Sequence, residues 1–167
     1  KIGSQKPAYC YGYVSMLKEF ARWMVAQEKK APKSVLAVVT TAELLGESDR
    51  QLISTAFNAP VFNEYGCGEV GTIAHECEHR SLHISSDNLI LEVVGDDGNA
   101  CPEGVEGSLV VTDLHNLAMP LIRYALEDVG SVSSEPCQCG RSLPRLSSIR
   151  GRAYDFLVDR HGRKYHG

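Results

Sequence analysis

Apolar residues in the first part of the chain follow two different periods. In residues 14–27 they recur every three or four positions with charged side chains between them, and this spacing predicts an amphipathic helix. Residues 48–57 show the same period, with Ser48 as the predicted N-cap. Residues 34–40 are a continuous, valine-rich apolar run that predicts a buried strand, and residues 60–64 predict a second strand. Strands that alternate with helices indicate a parallel α/β layer.

Beyond Gly71 the apolar stretches become short and are separated by glycine, proline, asparagine and aspartate. Six short strands are predicted, at residues 72–77, 82–85, 89–94, 107–112, 121–124 and 129–132. No helical period is visible there, so an antiparallel, β-rich subdomain is expected. The chain is therefore divided into an α/β part at residues 1–71, a β-rich part at residues 72–149 and a linker at residues 150–167.

Composition narrows the classes of function. The 167 residues are 43% hydrophobic and 23% charged, which is enough apolar material for a packed core. The net charge of −4 gives no reason to expect a nucleic-acid partner, and no apolar run is long enough to cross a membrane. The six cysteines include a C-x-C pair, a poor spacing for a local disulfide, so free or metal-bound thiols in the reducing cytoplasm are expected.

Sulfur and imidazole side chains gather in two places about sixty residues apart, the HECEH segment with the histidine that follows it and the PCQCGR segment. Such clusters are typical of a four-coordinate structural zinc site. The predicted ligands are Cys77, His83, Cys137 and Cys139. A hairpin between residues 72–77 and 82–85 would place His83 opposite Cys77, while His75 and then His79 are the alternatives for the fourth ligand.

Three further segments carry residues suited to a nucleotide. NEYGCGEVG offers the aromatic face of Tyr65 and the carboxylate of Glu69, an oxygen ligand of the kind that magnesium prefers. MPLIRYALEDVG places Arg123 and Asp128 near the end of a strand, and RGRAYD contains Arg152. Taken singly, each segment is better explained as an ordinary turn or strand end.

Together, in their order and spacing, these segments resemble one family. TAELL, NEYGCGEVG, MPLIRYALEDVG, PCQCGR and IRGRAYDFLV are similar to motifs of the adenylate-forming acyl–coenzyme A ligases. The HECE, LHI and PCQCGR segments point to the phenylacetate–coenzyme A ligase branch and its capsular-polysaccharide relatives. The resemblance covers nearly everything from residue 34 onward and implies part of the large domain of such an enzyme.

The resemblance implies a reaction and a set of roles. A carboxylic acid, aryl or similar, would be activated by ATP as an acyl-adenylate and transferred to coenzyme A with release of AMP. The residues that would bind the nucleotide are Ala42 and Glu43 beside adenine, Tyr65 stacked on it, Gly66 and Gly68 in the same turn, Asp128 on the ribose and Arg152 on ribose or phosphate. Glu69 would be catalytic by helping to hold magnesium.

The chain departs from the family pattern in three respects. The residue before Glu69 is usually threonine or serine in the family and is Gly68 here, and Tyr154 takes the place of the usual hinge aspartate within residues 153–155. The family's phosphate-binding loop and catalytic lysine are expected to lie outside this chain. We therefore expect a fragment that is inactive alone, with a zinc-stabilised binding or regulatory module as the alternative.

Overall fold

The computed structural model describes residues 8–152, 156–161 and 164–166. The chain forms two compact units, Lys1–Gly66 and Cys67–Gly167. The first combines parallel strands with helices, and the second is built from antiparallel strands. This architecture confirms the predicted fold class, an α/β layer followed by a β-rich part.

Strands and helices alternate along the first unit. Its elements are β1 (Ala8–Tyr13), α1 (Val14–Ala26), β2 (Val35–Thr41), α2 (Glu47–Phe57) and β3 (Val61–Cys67). Both β1 and β3 pair with β2 in parallel, so β2 is the middle strand of the three. The two helices and the strands β2 and β3 therefore lie close to where the sequence pattern predicts them.

A single apolar core joins the helices to this sheet. Leu17, Ala21 and Met24 of α1 belong to it, and their spacing is the helical period of the sequence. Ile53 of α2 and Val38 of β2 are fully buried in the same core. Burying one such side chain contributes roughly 1.5–3 kcal/mol, so the amphipathic pattern accounts for the position of both helices. Neither helix in the described part of the chain is long and apolar enough to span a membrane.

Two local features of the first unit differ from the sequence-based prediction. Strand β1 was not predicted, because its tyrosines are exposed while Cys10 between them packs against the core. Aromatic residues on an uncovered face hide the two-residue period of such a strand. The N-cap of α2 is Gly46, not Ser48, and the helix begins at Glu47 without a side-chain cap hydrogen bond.

The second unit is an antiparallel sheet followed by a separate hairpin. Its strands are β4 (Gly71–Glu76), β5 (Leu82–Ile84), β6 (Leu89–Val94), β7 (Gly107–Asp113), β8 (Tyr124–Ser133), β9 (Arg145–Arg152), β10 (Phe156–Val158) and β11 (Lys164–His166). The order across the sheet is β4-β5-β9-β8-β7-β6. Strands β6, β7 and β8 are neighbours both in sequence and in space, whereas β9 inserts between β5 and β8.

The predicted short strands of this unit correspond to β4 through β8, with one difference. The segment predicted at residues 129–132 lies within the long strand β8, whereas only Tyr124 of the segment predicted at residues 121–124 belongs to it and residues 121–123 form no strand. Strand β9 was not predicted, because its sequence RLSSIRGR is mostly polar. Residues 72–121 are all described and contain no helix, as the sequence pattern predicts.

Close backbone contact at Gly130 supplies a test of the packing between β8 and β9. A Cβ atom at this position would lie 2.5 Å from the carbonyl oxygen of Ser148 and 3.2 Å from Leu109 Cδ1. We expect Gly130→Ala to lower the free energy of unfolding by about 1–3 kcal/mol, because the two strands must separate. Urea denaturation measures this, with Gly68→Ala as the control.

A Cβ atom added at Gly68 would meet no other part of the described chain within 4 Å, so the control is expected to change stability by about 0.5 kcal/mol or less. Equal stability of the two variants would contradict the packing described for Gly130.

Candidate metal centre and nucleotide-binding residues

Four soft donor side chains converge in the second unit. They are Cys77, His83, Cys137 and Cys139, here called the Cys3His cluster, and their donor atoms all lie within 4.8 Å of one another. The sulfurs of Cys77 and Cys137 are 3.8 Å apart, and Cys139 Sγ lies 3.2 Å from His83 Nε2. Cys77, His83 and Cys137 are buried. The structure thus brings together all four residues that the sequence nominated as metal ligands.

Two tight turns of the same kind present the sulfurs. In residues 77–80 the N–H of Arg80 donates to the carbonyl of Cys77 at 2.9 Å, and in residues 137–140 the N–H of Gly140 donates to the carbonyl of Cys137 at 3.0 Å. The fourth residue of each turn is left-handed, with φ 59° at Arg80 and 78° at Gly140. The third residue of each turn donates its backbone N–H to the sulfur of the first.

His83 is oriented by a hydrogen bond on the far side of its ring. Its Nδ1 lies 3.2 Å from the carbonyl oxygen of Leu143, which is an acceptor only, so Nδ1 carries the proton. That bond leaves Nε2 unprotonated in the neutral ring and aimed at the sulfurs. Ligating histidines in metalloproteins are fixed by contacts of this type.

The predicted register of the hairpin was wrong, although the histidine that it favoured, His83, does lie in the cluster. His83 on β5 pairs with His75 on β4 and not with Cys77, which lies beyond the end of β4. The imidazoles of His75 and His79 are exposed and outside the cluster. Cys77 reaches His83 because its own turn folds back, with its N–H bound to the carbonyl of Ser81 at 2.9 Å.

The electrostatic environment shifts the pKa values of the two buried cysteines in opposite directions. Burial raises the pKa of the Cys77 thiol above its ordinary value. The backbone N–H of Cys139 is the main cause that lowers the pKa of Cys137 to about 6. Arg141 adds positive charge next to the second turn and forms an ion pair with Glu78 of the first turn at 2.7 Å. The site therefore favours anionic sulfur at Cys137 and places a cation beside it.

The nucleotide residues predicted in the first unit lie at the carboxyl end of the parallel strands. Ala42 directly follows β2 and is exposed in a left-handed conformation, with φ 66°. Glu43 accepts hydrogen bonds from Ser15 N at 2.6 Å and Ser15 Oγ at 2.8 Å, so its carboxylate caps the N-terminus of α1. Tyr65 and Gly66 belong to β3 and are half-buried.

The predicted residues of the second unit occupy a loop and a distorted strand. Gly68 and Glu69 are exposed in the loop before β4, and neither Gly66 nor Gly68 has the positive φ that its motif allows. Glu69 Oε1 accepts a hydrogen bond from Tyr124 Oη at 3.0 Å. Asp128 lies half-buried on β8.

A bulge in β8 sets the direction of Asp128. Between the pairs Ser108↔Val129 and Val110↔Ala125, β7 has one residue and β8 has three. Glu127 inside this bulge is left-handed, with φ 63°. Bulges of this kind re-aim a side chain relative to the regular pleat.

The remaining residues of the predicted nucleotide-binding segments contact other residues or lie outside the described part of the chain. The guanidinium of Arg123 pairs with the carboxylate of Glu92 at 3.2 Å. Asp128 and Arg152 are backbone partners in the ladder of β8 and β9. The side chain of Arg152 and the predicted hinge residues 153–155 lie outside the described part of the chain.

Two residues that sequence reasoning passed over contact the elements that carry the predicted residues, one in each unit. Buried Glu64 on β3 accepts hydrogen bonds from Tyr11 Oη at 2.8 Å and Thr41 Oγ1 at 3.2 Å, which ties the three parallel strands at their carboxyl ends. Tyr124 contacts Glu69. A carboxylate inside a strand pattern was the available signal for Glu64, whereas the contact of Tyr124 spans 55 positions and leaves no local signal.

Solved structures of acyl–coenzyme A ligases share this fold. A 2-hydroxyisobutyryl-CoA ligase in the postadenylation state, in complex with R3-HIB-AMP, superposes with a TM-score of 0.84 at 23% identity over 99% of this chain and 36% of that chain. An anthranilate CoA ligase in complex with anthranoyl-AMP superposes with a TM-score of 0.71 at 17% identity, over 99% of this chain and 33% of that chain. The fold is that of the adenylate-forming acyl–coenzyme A ligases.

Sequence relatives point to one family. A phenylacetate-coenzyme A ligase of Thermus thermophilus is 34% identical over 165 residues, covering 96% of this chain and 36% of the relative. Protein CapK of Staphylococcus aureus is 27% identical over 96% of this chain and 34% of its own length. No protein-family model matches the chain. Over nearly its whole length the chain is similar to members of the phenylacetate–coenzyme A ligase family, and it spans about a third of the length of these relatives.

The left-handed position at the end of the second turn gives a prediction for the Cys3His cluster. We expect Gly140→Ala to lower the free energy of unfolding by roughly 1–2 kcal/mol, because only glycine adopts φ 78° without strain. Denaturant titration measures the loss. The matched variant Arg80→Gly places glycine at the left-handed position of the first turn, so we expect no destabilisation from backbone strain. An unchanged stability in Gly140→Ala would show that the turn tolerates a side chain there.

Proposed function

We propose that this chain is the nucleotide-binding part of an ATP-dependent, AMP-forming ligase that joins a carboxylic acid to coenzyme A. Its relatives in the family are named as phenylacetate-coenzyme A ligases, and the solved neighbours are ligases with acyl-AMP compounds bound. The observation that carries the proposal is the 34% identity to the Thermus thermophilus ligase across 96% of the chain. The partners of the whole protein would be the acid, ATP and coenzyme A.

The carboxyl ends of the parallel strands support a role in binding adenine. Ligands of open α/β sheets bind outside these strand ends. Ala42 follows β2 at this end, and Tyr65 at the end of β3 would stack on the base. Because the carboxylate of Glu43 is engaged by Ser15, Glu43 would act by holding the loop backbone rather than by contacting adenine through its own oxygens. Gly66 and Gly68 would let the backbone approach the nucleotide.

Polar groups of the second unit would address ribose and phosphate. Asp128, turned by the bulge in β8, would accept hydrogen bonds from the ribose hydroxyls, and Arg152 would contact ribose or phosphate. Glu69 would hold magnesium through an oxygen ligand, as hard cations prefer. Magnesium, when bound, supplies positive charge to the phosphate oxygens as pyrophosphate leaves.

The Cys3His cluster fits a structural zinc ion. Three sulfurs and one imidazole nitrogen are a donor set that zinc takes in tetrahedral coordination, and four protein ligands leave no position for substrate. The neutral Nε2 of His83 and the lowered pKa of Cys137 suit a dication. We place the protein in the reducing cytoplasm, where free or metal-bound thiols are expected.

Substitution of the two carboxylates tests the ligase assignment. In a full-length ligase that carries this segment, Asp128→Ala is expected to weaken ATP binding about ten- to a hundredfold, because a hydrogen bond to a charged group contributes roughly 1.5–3 kcal/mol. Glu69→Gln is expected to lower the turnover of acyl-adenylate formation more than it changes the affinity for ATP. Pyrophosphate release and calorimetric titration measure these two quantities.

Glu127→Gln is the control, since Glu127 is an exposed carboxylate next to Asp128 with no assigned role. Wild-type kinetics in both Asp128→Ala and Glu69→Gln would remove the basis for these roles. A full-length protein that adenylates no acid would instead favour the alternative, a zinc-stabilised binding or regulatory module.

Metal analysis of the purified chain tests the zinc site. We expect one zinc ion per chain and a lower thermal midpoint after chelation, because the free energy of binding contributes to folding. Cys77→Ser and His83→Gln are expected to lose the metal, whereas Cys101→Ser, His75→Gln and His79→Gln are expected to keep it. Protein prepared without chelator that contains no zinc would overturn the assignment, and metal loss in His75→Gln alone would identify a different fourth ligand.

A further inference from the structure

Glu69 lies on an exposed loop, where a carboxylate needs a partner to keep one orientation. The loop connects β3 to β4, and Glu69 itself is exposed. A carboxylate that holds a cation is effective only when its oxygens point in a fixed direction. One contact that supplies this direction is the hydrogen bond from Tyr124 Oη to Glu69 Oε1 at 3.0 Å.

Tyr124 is itself anchored by the sheet. It is the first residue of β8 and pairs with Val111 on β7. The preceding residue, Arg123, is left-handed with φ 51°, and its N–H donates to Thr112 Oγ1 at 3.0 Å. Its guanidinium also binds Glu92 on β6 at 3.2 Å. The backbone position of Tyr124 is thus set by three strands of the sheet and not by the loop that its hydroxyl contacts.

A second side chain contacts the same carboxylate. The thiol of Cys67, two residues before Glu69, forms a hydrogen bond with it. Glu69 is therefore held between a donor on its own segment and a donor 55 positions away on β8. The two donors approach from different elements, which restricts rotation of the carboxylate more than either donor would alone.

We infer that Tyr124 is a positioning residue for the reaction, acting through Glu69 on the magnesium-dependent part of ATP binding. The inference rests on the proposed function, because it assumes that Glu69 holds the ion. Tyr124 does not touch the nucleotide in this role, so ATP binding without magnesium does not depend on it.

The test uses a full-length ligase that carries this segment and measures ATP affinity by calorimetry, once with Mg²⁺ and once with EDTA. Tyr124→Phe removes only the hydroxyl. We expect it to weaken ATP binding about three- to tenfold in Mg²⁺, the size expected for one hydrogen bond, and to leave the affinity in EDTA unchanged. Tyr9→Phe is the control, since Tyr9 is 68% exposed and lies on β1.

A double-mutant cycle separates positioning from a general structural effect. If Tyr124 acts through Glu69, Tyr124→Phe has no further effect in a Glu69→Gln background. Additive losses, or an equal loss with and without Mg²⁺, would overturn the inference while leaving the ligase assignment intact. Failure of the unaltered protein to bind ATP at all would overturn both.

Discussion

The convergence of three sulfurs and one imidazole within 4.8 Å is the constraint on which the second unit depends. Three thiolates at this separation would repel one another, and a bound cation would offset that repulsion. Around it the backbone contacts are sparse, because β5 joins β9 through only two residue pairs, Leu82↔Leu146 and His83↔Arg145. The cluster therefore fixes the same end of the sheet that the short ladder holds weakly. The zinc proposed for this site would act as a structural part of the unit.

The residues proposed to bind the nucleotide depend on how the backbone of the strands positions them. Ala42, Glu43, Gly68 and Glu69 lie on loops, and Asp128 lies in a distorted part of β8. Regular strands set the positions of both kinds of segment, as is usual for functional residues. Ala42 and Glu127 are held in left-handed conformations that cost energy for residues with a side chain, and each flanks a proposed contact. The sheets tolerate this local cost because the neighbouring ladders and the buried core determine the backbone on both sides.

The sequence was most informative where one element buries one face. The spacing of Leu17, Ala21 and Met24 was enough to place α1, because burial of that stripe decides the structure of the segment. It failed at β1 and β9, where polar or exposed aromatic residues obscure the strand period and pairing with a neighbour supplies the stability.

The four members of the Cys3His cluster were predictable because they were chosen by donor chemistry rather than by exact register. The register of the β4–β5 hairpin was not predictable, since the pairing of His83 with His75 depends on where the turn after β4 begins. The contact between Tyr124 and Glu69 was also out of reach, because it joins residues far apart in sequence and involves no unusual residue type.

The spacing of the cluster along the chain also bears on the order in which the unit assembles. Cys77 and Cys137 are 60 residues apart, and β6, β7 and β8 lie entirely between them as a run of sequential antiparallel strands. Within this run the loops to close span residues 95–106 and 114–123, whereas bringing the two turns together costs the entropy of a much longer loop. By the chain-entropy relation for cross-links, a link between residues 60 positions apart lowers the conformational entropy of the unfolded chain. This loss corresponds to about 4 kcal/mol of free energy. The ion would thus close a meander that is already formed, and its release would open the β4–β5 end first while the meander persists.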